Sequence, residues 1–230
     1  GVNNTLIGGL AGDALTDADA NVALGAFALG ADTLGSKSVA IGDSALATQN
    51  FTTATDSHNV AVGFSAGNDI TTGIQNTIVG ALAGDALTDA DFNTAVGYGA
   101  LSSDTLGNRN VAVGTNALAT QNFTTATNAY NTAVGESAGV SITTGAQNDL
   151  FGGLAGDALT DADFNVALGF ATLSADTLGS RSTAVGHSAL ATQNFTTATD
   201  TYNTAVGFYA GVAITTGIHN TLIGGLAGDA

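Results

Sequence analysis

Apolar positions along this chain come in short bursts, each opened by a polar residue and closed by glycine. Ser38-Val39-Ala40-Ile41-Gly42, Asn93-Thr94-Ala95-Val96-Gly97 and Asn110-Val111-Ala112-Val113-Gly114 are three copies. The motif starts at positions 4, 21, 38, 59, 76, 93, 110, 131, 148, 165, 182, 203 and 220, so its spacing runs 17, 17, 21, 17. The whole set returns every 72 residues: N-T-L-I-G-G-L-A-G-D-A at Asn4 comes back in variant form at Asn76 and Asn148 and unchanged at Asn220. A unit of about 17 residues is too short to enclose a core alone and must stack on its neighbours. The chain therefore reads as one continuous solenoid over 1–230, with super-repeats at 4–75, 76–147 and 148–219 and a fourth beginning at 220–230. Opening at Gly1 and stopping within a period, it reads as an excerpt of a longer fibre.

Residue type decides between helical and β coils. The bursts are β-branched and end at glycine, and no stretch keeps a 3.6-residue pattern long enough for a stable helix. Each coil is expected to hold two short strands flanking the glycine, as at 93–96 and 99–101, with glycine supplying a bend that a side chain would obstruct. A third apolar residue, Leu15, Leu34, Phe51 and Ile70 in the first period and Leu87, Leu106, Phe123 and Ile142 in the second, is expected to close the coil's core. Successive strand residues face opposite sides, yet Ala95 and Val96, or Ala40 and Ile41, are both apolar. One side can fill the coil; the other requires a second surface, which several chains around a common axis would provide.

Composition narrows the chemistry. With 3 Lys+Arg against 19 Asp+Glu, the net charge of −16 sets the chain against nucleic acids and anionic lipid, which are bound through clustered cations. The absence of cysteine excludes a disulfide framework, thiol catalysis and Cys-based metal sites. At 44% hydrophobic and 10% charged residues the chain has the apolar surface to fold, while no apolar run approaches the ~20 residues of a membrane span.

S-V-A-I-G-D-S-A-L-A at Ser38, N-V-A-V-G-T-N-A-L-A at Asn110 and S-T-A-V-G-H-S-A-L-A at Ser182 resemble the head repeats of trimeric autotransporter adhesins. N-T-A-V-G-Y-G-A-L at Asn93 is similar to repeats of bacteriophage tail-fibre proteins that carry a self-cleaving chaperone domain. The resemblance covers the whole chain. It implies an all-β fold, a left-handed parallel β-roll built as a homotrimer, serving as an extracellular fibre or as an adhesin head on a cell surface or virion. The 21-residue coils starting at Ser38, Asn110 and Ser182 depart from the shorter adhesin repeat.

Candidate chemistry is sparse, and no enzyme is expected. The acidic run D-A-L-T-D-A-D-A-N places Asp17, Asp19 and Asn21 in an alternation that recurs as Asp89, Asp91, Asn93 and as Asp161, Asp163, Asn165. Alternating oxygen donors resemble the opening of a Ca2+ loop, although its later Gly and Glu are missing; the competing reading is a solvated turn. Lys37, Arg109 and Arg181 share one slot of the period, five residues after Asp32, Asp104 and Asp176, and are expected to form salt bridges with those carboxylates, along a chain or between chains. His58, His187 and His219 are scattered and support neither a metal triad nor a catalytic base. Glu136 stands alone, and the glycine pairs at Gly8 and Gly152 lack the Lys-Ser/Thr of a phosphate loop. The loop Q-N-F-T-T-A-T at 49–55, 121–127 and 193–199 mixes a ring, amides and hydroxyls in a manner suited to glycans, unless its phenylalanine is buried as an anchor.

Overall fold

The computed structural model describes residues 1–230 and contains strands and turns but no helix, so no helix is long and apolar enough to cross a membrane. Its chain divides into two compact units, residues 1–110 with 122–128 and residues 111–121 with 129–230. Both are parallel β-solenoids. In the first, strands Thr5–Ile7, Val22–Leu24, Val39–Ile41, Val60–Val62, Thr77–Val79 and Thr94–Val96 pair in that order, in parallel. In the second, Val111–Val113, Thr132–Val134, Asp149–Phe151, Val166–Leu168, Thr183–Val185, Thr204–Val206 and Thr221–Ile223 do the same. Register is uniform, the middle residues standing opposite one another: Ala40 faces Ala61, which faces Ile78, which faces Ala95.

Only one strand per short coil forms. The expected partner at 99–101 is a turn in which Gly99 and Leu101 take φ of 61° and 55°. Chain reversal straight after the glycine brings the turn residues over the core, leaving no room for a second extended run. Two-residue strands do pair elsewhere, Gly35–Ser36 with Thr55–Asp56, Gly107–Asn108 with Thr127–Asn128, and Gly179–Ser180 with Thr199–Asp200, where the longer loops return to the stack. The glycine closing each strand is fixed by close approach: a Cβ on Gly63 would lie 2.5 Å from the Gly80 carbonyl oxygen, and Gly63 takes φ of 143°.

Each lumen is lined by the middle strand residue. Ala23, Ala40, Ala61, Ile78 and Ala95 are fully buried in the first unit, as are Ala133, Leu150, Ala167, Ala184 and Ala205 in the second. Core volume is shared within the turn: an added Cβ on Gly84 or Gly156 would lie 2.9 Å from Leu87 Cδ1 or 2.7 Å from Leu159 Cδ1, whereas the buried Leu101 is followed three residues on by Asp104. Phe51, Ile70, Leu87, Phe123 and Ile142 close the core as expected; Leu15, Leu34 and Leu106 remain half-buried.

Asparagine at the motif start forms a second ladder beside the backbone one. Asn76 N–H donates to Asn59 Oδ1, Asn93 N–H to Asn76 Oδ1 and Asn110 N–H to Asn93 Oδ1, each at 2.9 Å. Asn76 Nδ2 also donates onward to the Ala90 carbonyl at 2.7 Å, and Asn93 Nδ2 to that of Gly107 at 2.9 Å. Satisfying both ends allows the amide to be buried, which would otherwise cost about 1–3 kcal/mol per orphaned group.

Candidate functional site

The acidic runs are drawn into coil-to-coil bonding. Asp19 Oδ1 accepts from Val2 N–H at 2.5 Å, Asp91 Oδ1 from Ile74 N–H at 2.8 Å and Asp163 Oδ1 from Ala146 N–H at 2.7 Å. Asp89 and Asp161 accept from the Thr72 and Thr144 hydroxyls at 2.7 Å, and Asp17 lies 3.8 Å from the terminal ammonium. Asn21, Asn93 and Asn165 sit in the buried ladder, their Oδ1 atoms occupied by the N–H groups of Ser38, Asn110 and Ser182. The alternation seen in sequence thus divides between a surface loop and the interior. No three His, Cys, Asp or Glu side chains gather where they could hold a metal ion.

Within the chain, Lys37 and Arg181 form their ion pairs with carboxylates other than Asp32 and Asp176. Lys37 Nζ meets Asp56 at 2.5 Å and Arg181 Nε meets Asp200 at 3.0 Å, both in the open, and Arg109 Nε donates to Asn128 Oδ1 at 3.3 Å. Hydrogen bonding to Lys37 is the chief reason the Asp56 carboxyl titrates below the usual range; burial opposes it, and the charges of Lys37 and His58 add to the lowering. Arg109 and Arg181 also lie 4.5 Å from the rings of Phe92 and Phe164.

Asp32, Asp104 and Asp176 are instead fully buried anchors for the long loops. Asp32 Oδ1 accepts from Gly35 N–H at 3.0 Å and Phe51 N–H at 3.3 Å, while Gln49 Nε2 donates to Oδ2 at 2.6 Å. Asp176 repeats this with Gly179, Phe195 and Gln193, and Asp104 with Gly107 and Phe123. Phe51, Phe123 and Phe195 are buried, so the loops at 49–55, 121–127 and 193–199 present threonine and alanine rather than rings. Sequence held the signal: an Asp, a Gln and a Phe keep fixed intervals in every period.

Two further carboxylates are in tension with their surroundings. Asp85 and Asp157 each bury an Oδ1 that has no hydrogen-bond partner. Burial pushes both carboxyls above the usual range against the pull of their own backbone N–H groups, and the charge of Asp69 raises Asp85 further. Asp91 is raised mainly by burial as well, opposed by the Ile74 N–H, raised by Asp89 and lowered by Arg109.

Two outer surfaces stand out. One is the column of third strand residues: Ile7 and Leu24 are exposed and Ile41, Val62, Val79 and Val96 half-buried in the first unit, while Phe151, Leu168 and Val206 are exposed in the second. Another is aromatic: His187 stands among Phe170, Phe208 and Tyr209, and His219 stacks on Tyr202 at 5.3 Å, so these histidines are ring-packed rather than isolated. Neither unit contains a pocket. No protein-family model, curated protein or solved structure matches the chain.

Proposed function

We propose that this chain is a structural, non-enzymatic segment of an extracellular filament, a shaft of the adhesin or tail-fibre kind, in which three copies, each a left-handed β-roll, pack around one axis. The observation that carries this reading is the outward apolar column. In the three-residue strands from Val22–Leu24 to Thr204–Val206 the middle residue is buried and the third is not, yet the third stays Leu, Ile, Val or Phe. Isolated apolar residues on a surface need no explanation; an unbroken row of them does. Three copies turning these rows towards each other would bury them, with coils of 17 and 21 residues keeping the rows in step. Acidic loops on the remaining surface would hold neighbouring filaments apart.

Sedimentation or light scattering decides the question. The expected mass is three times 22.3 kDa, and Val62→Lys with Val185→Lys should dissociate the assembly while leaving the β signature in circular dichroism. A stable monomer of the unaltered chain sinks the assembly reading.

A further inference from the structure

The last complete super-repeat carries rings in slots that the fold does not reserve for them. Phe170, His187, Phe208 and Tyr209 correspond to Ala26, Asp43, Phe64 and Ser65 in the first period and to Tyr98, Thr115, Glu136 and Ser137 in the second. His187 lies 5.5 Å from each of Phe170, Phe208 and Tyr209, and Phe208 meets Tyr209 edge-on at 4.4 Å. Phe170 and Phe208 are 52% and 55% exposed.

Glycines border this row at both ends. On the coil before Phe170 the matching slot is Gly153, where a Cβ would sit 3.5 Å from the Phe170 ring; on the coil after Phe208 it is Gly225. Apart from Gly9, the slot elsewhere holds Phe, Tyr, His, Glu, Asp, Thr or Ala, so glycine is not a backbone requirement here. The effect at Gly153 is that this slot puts no side chain against the Phe170 ring.

We infer that this four-ring cluster is a binding platform for a neutral, pyranose-containing glycan. A pyranose offers an apolar C–H face that stacks on a bare ring and hydroxyls that bond to groups such as the Tyr209 phenol and the His187 imidazole. Charge removes the anionic alternative, because an anionic glycan is repelled by a chain of net charge −16. A second copy of the chain fits less well, because the apolar columns suited to self-assembly recur in every period and this cluster occurs once. The platform lies within one unit and does not depend on trimer formation.

Saturation-transfer NMR of the full chain with dextran, laminarin and chito-oligosaccharide, with alginate as the anionic control, tests this. Transfer to at least one neutral glycan and none to alginate is expected. Phe170→Ala, His187→Thr and Tyr209→Ser together install residues that the same slots already accept, and should weaken binding at least tenfold with the β spectrum retained. Gly153→Leu should also weaken it by covering Phe170 without removing a ring, and Tyr209→Phe should cost several-fold, a check that survives misfolding of the triple variant. No transfer to any neutral glycan overturns the proposal, as does undiminished binding by the triple or Gly153→Leu variant. A triple variant that loses oligomeric mass while binding glycan as before assigns the cluster to a second copy instead.

Discussion

Ile78 and Leu87 share the space that a side chain on Gly84 would need: a Cβ on that glycine would lie 3.0 Å from Ile78 Cδ1 and 2.9 Å from Leu87 Cδ1. One coil on, the volumes are exchanged, Ala95 replacing the isoleucine and Leu101 the glycine at nearly the same φ, 55° against 51°. Ile78→Ala should therefore open a cavity and cost about 2–5 kcal/mol. Gly84→Leu alone should overpack by about 1–3 kcal/mol. The double variant keeps Leu87, whose Cδ1 would lie 2.9 Å from the new Cβ, and should recover only part of both losses, which urea midpoints of the four proteins will show. Simple additivity would mean that neighbouring coils prevent the exchange.

How far the sequence anticipates this core is clear from particular residues. Periodicity and β-branching locate the strands because stacking forces every coil to repeat the same inward position, as Ala40, Ala61 and Ala95 do. The supposed strand at 99–101 illustrates the limit: Leu101 is buried through a left-handed turn conformation that alternation cannot signal. Lys37 and Asp32 show another. Closeness in sequence suggests an ion pair, whereas the coil turns Asp32 inward to the loop N–H groups and leaves Lys37 outside with Asp56, a partner contributed by the next coil.

That inward carboxylate should matter far more than the exposed ion pair. Asp32→Ala leaves the Gly35 and Phe51 N–H groups and Gln49 Nε2 without their acceptor, and should destabilise by about 2–5 kcal/mol. Asp176→Ala should behave alike. Lys37→Ala, at a solvent-screened surface pair, should barely move the melting midpoint.

Acid should stabilise the chain before it denatures it. Asp85, Asp91 and Asp157 have carboxyls raised in the folded state, so the fold binds protons more tightly than the unfolded chain does. Their contribution is greatest below the unfolded carboxylate range and is lost as pH rises through the raised values. Asp56, lowered by Lys37, acts in the opposite sense and more weakly because it is exposed. Melting temperature should rise as pH falls from 7 towards the raised values, and Asp85→Asn with Asp157→Asn should raise it at pH 7 and flatten the slope.

Salt should raise it too. At ~0.15 M ionic strength the Debye length is about 8 Å, so repulsion among loop carboxylates is damped as salt is added. With Asp89 and Asp161 held by threonine hydroxyls and the asparagines turned inward, calcium and magnesium at equal ionic strength should stabilise alike. A calcium-specific rise that vanishes when Asp17, Asp89 and Asp161 are all changed to Asn would instead mark a formed site.

The backbone and asparagine ladders of each unit join one coil to the next, so their bonds point along the direction of stacking. Lengthwise tension would load these contacts in series, and the weakest rung would yield first. Each 17-residue turn peeled away would release roughly 55 Å of slack while its neighbours stayed folded. Such a molecule lengthens by paying out chain one coil at a time, a property suited to a tether that must survive a sudden pull.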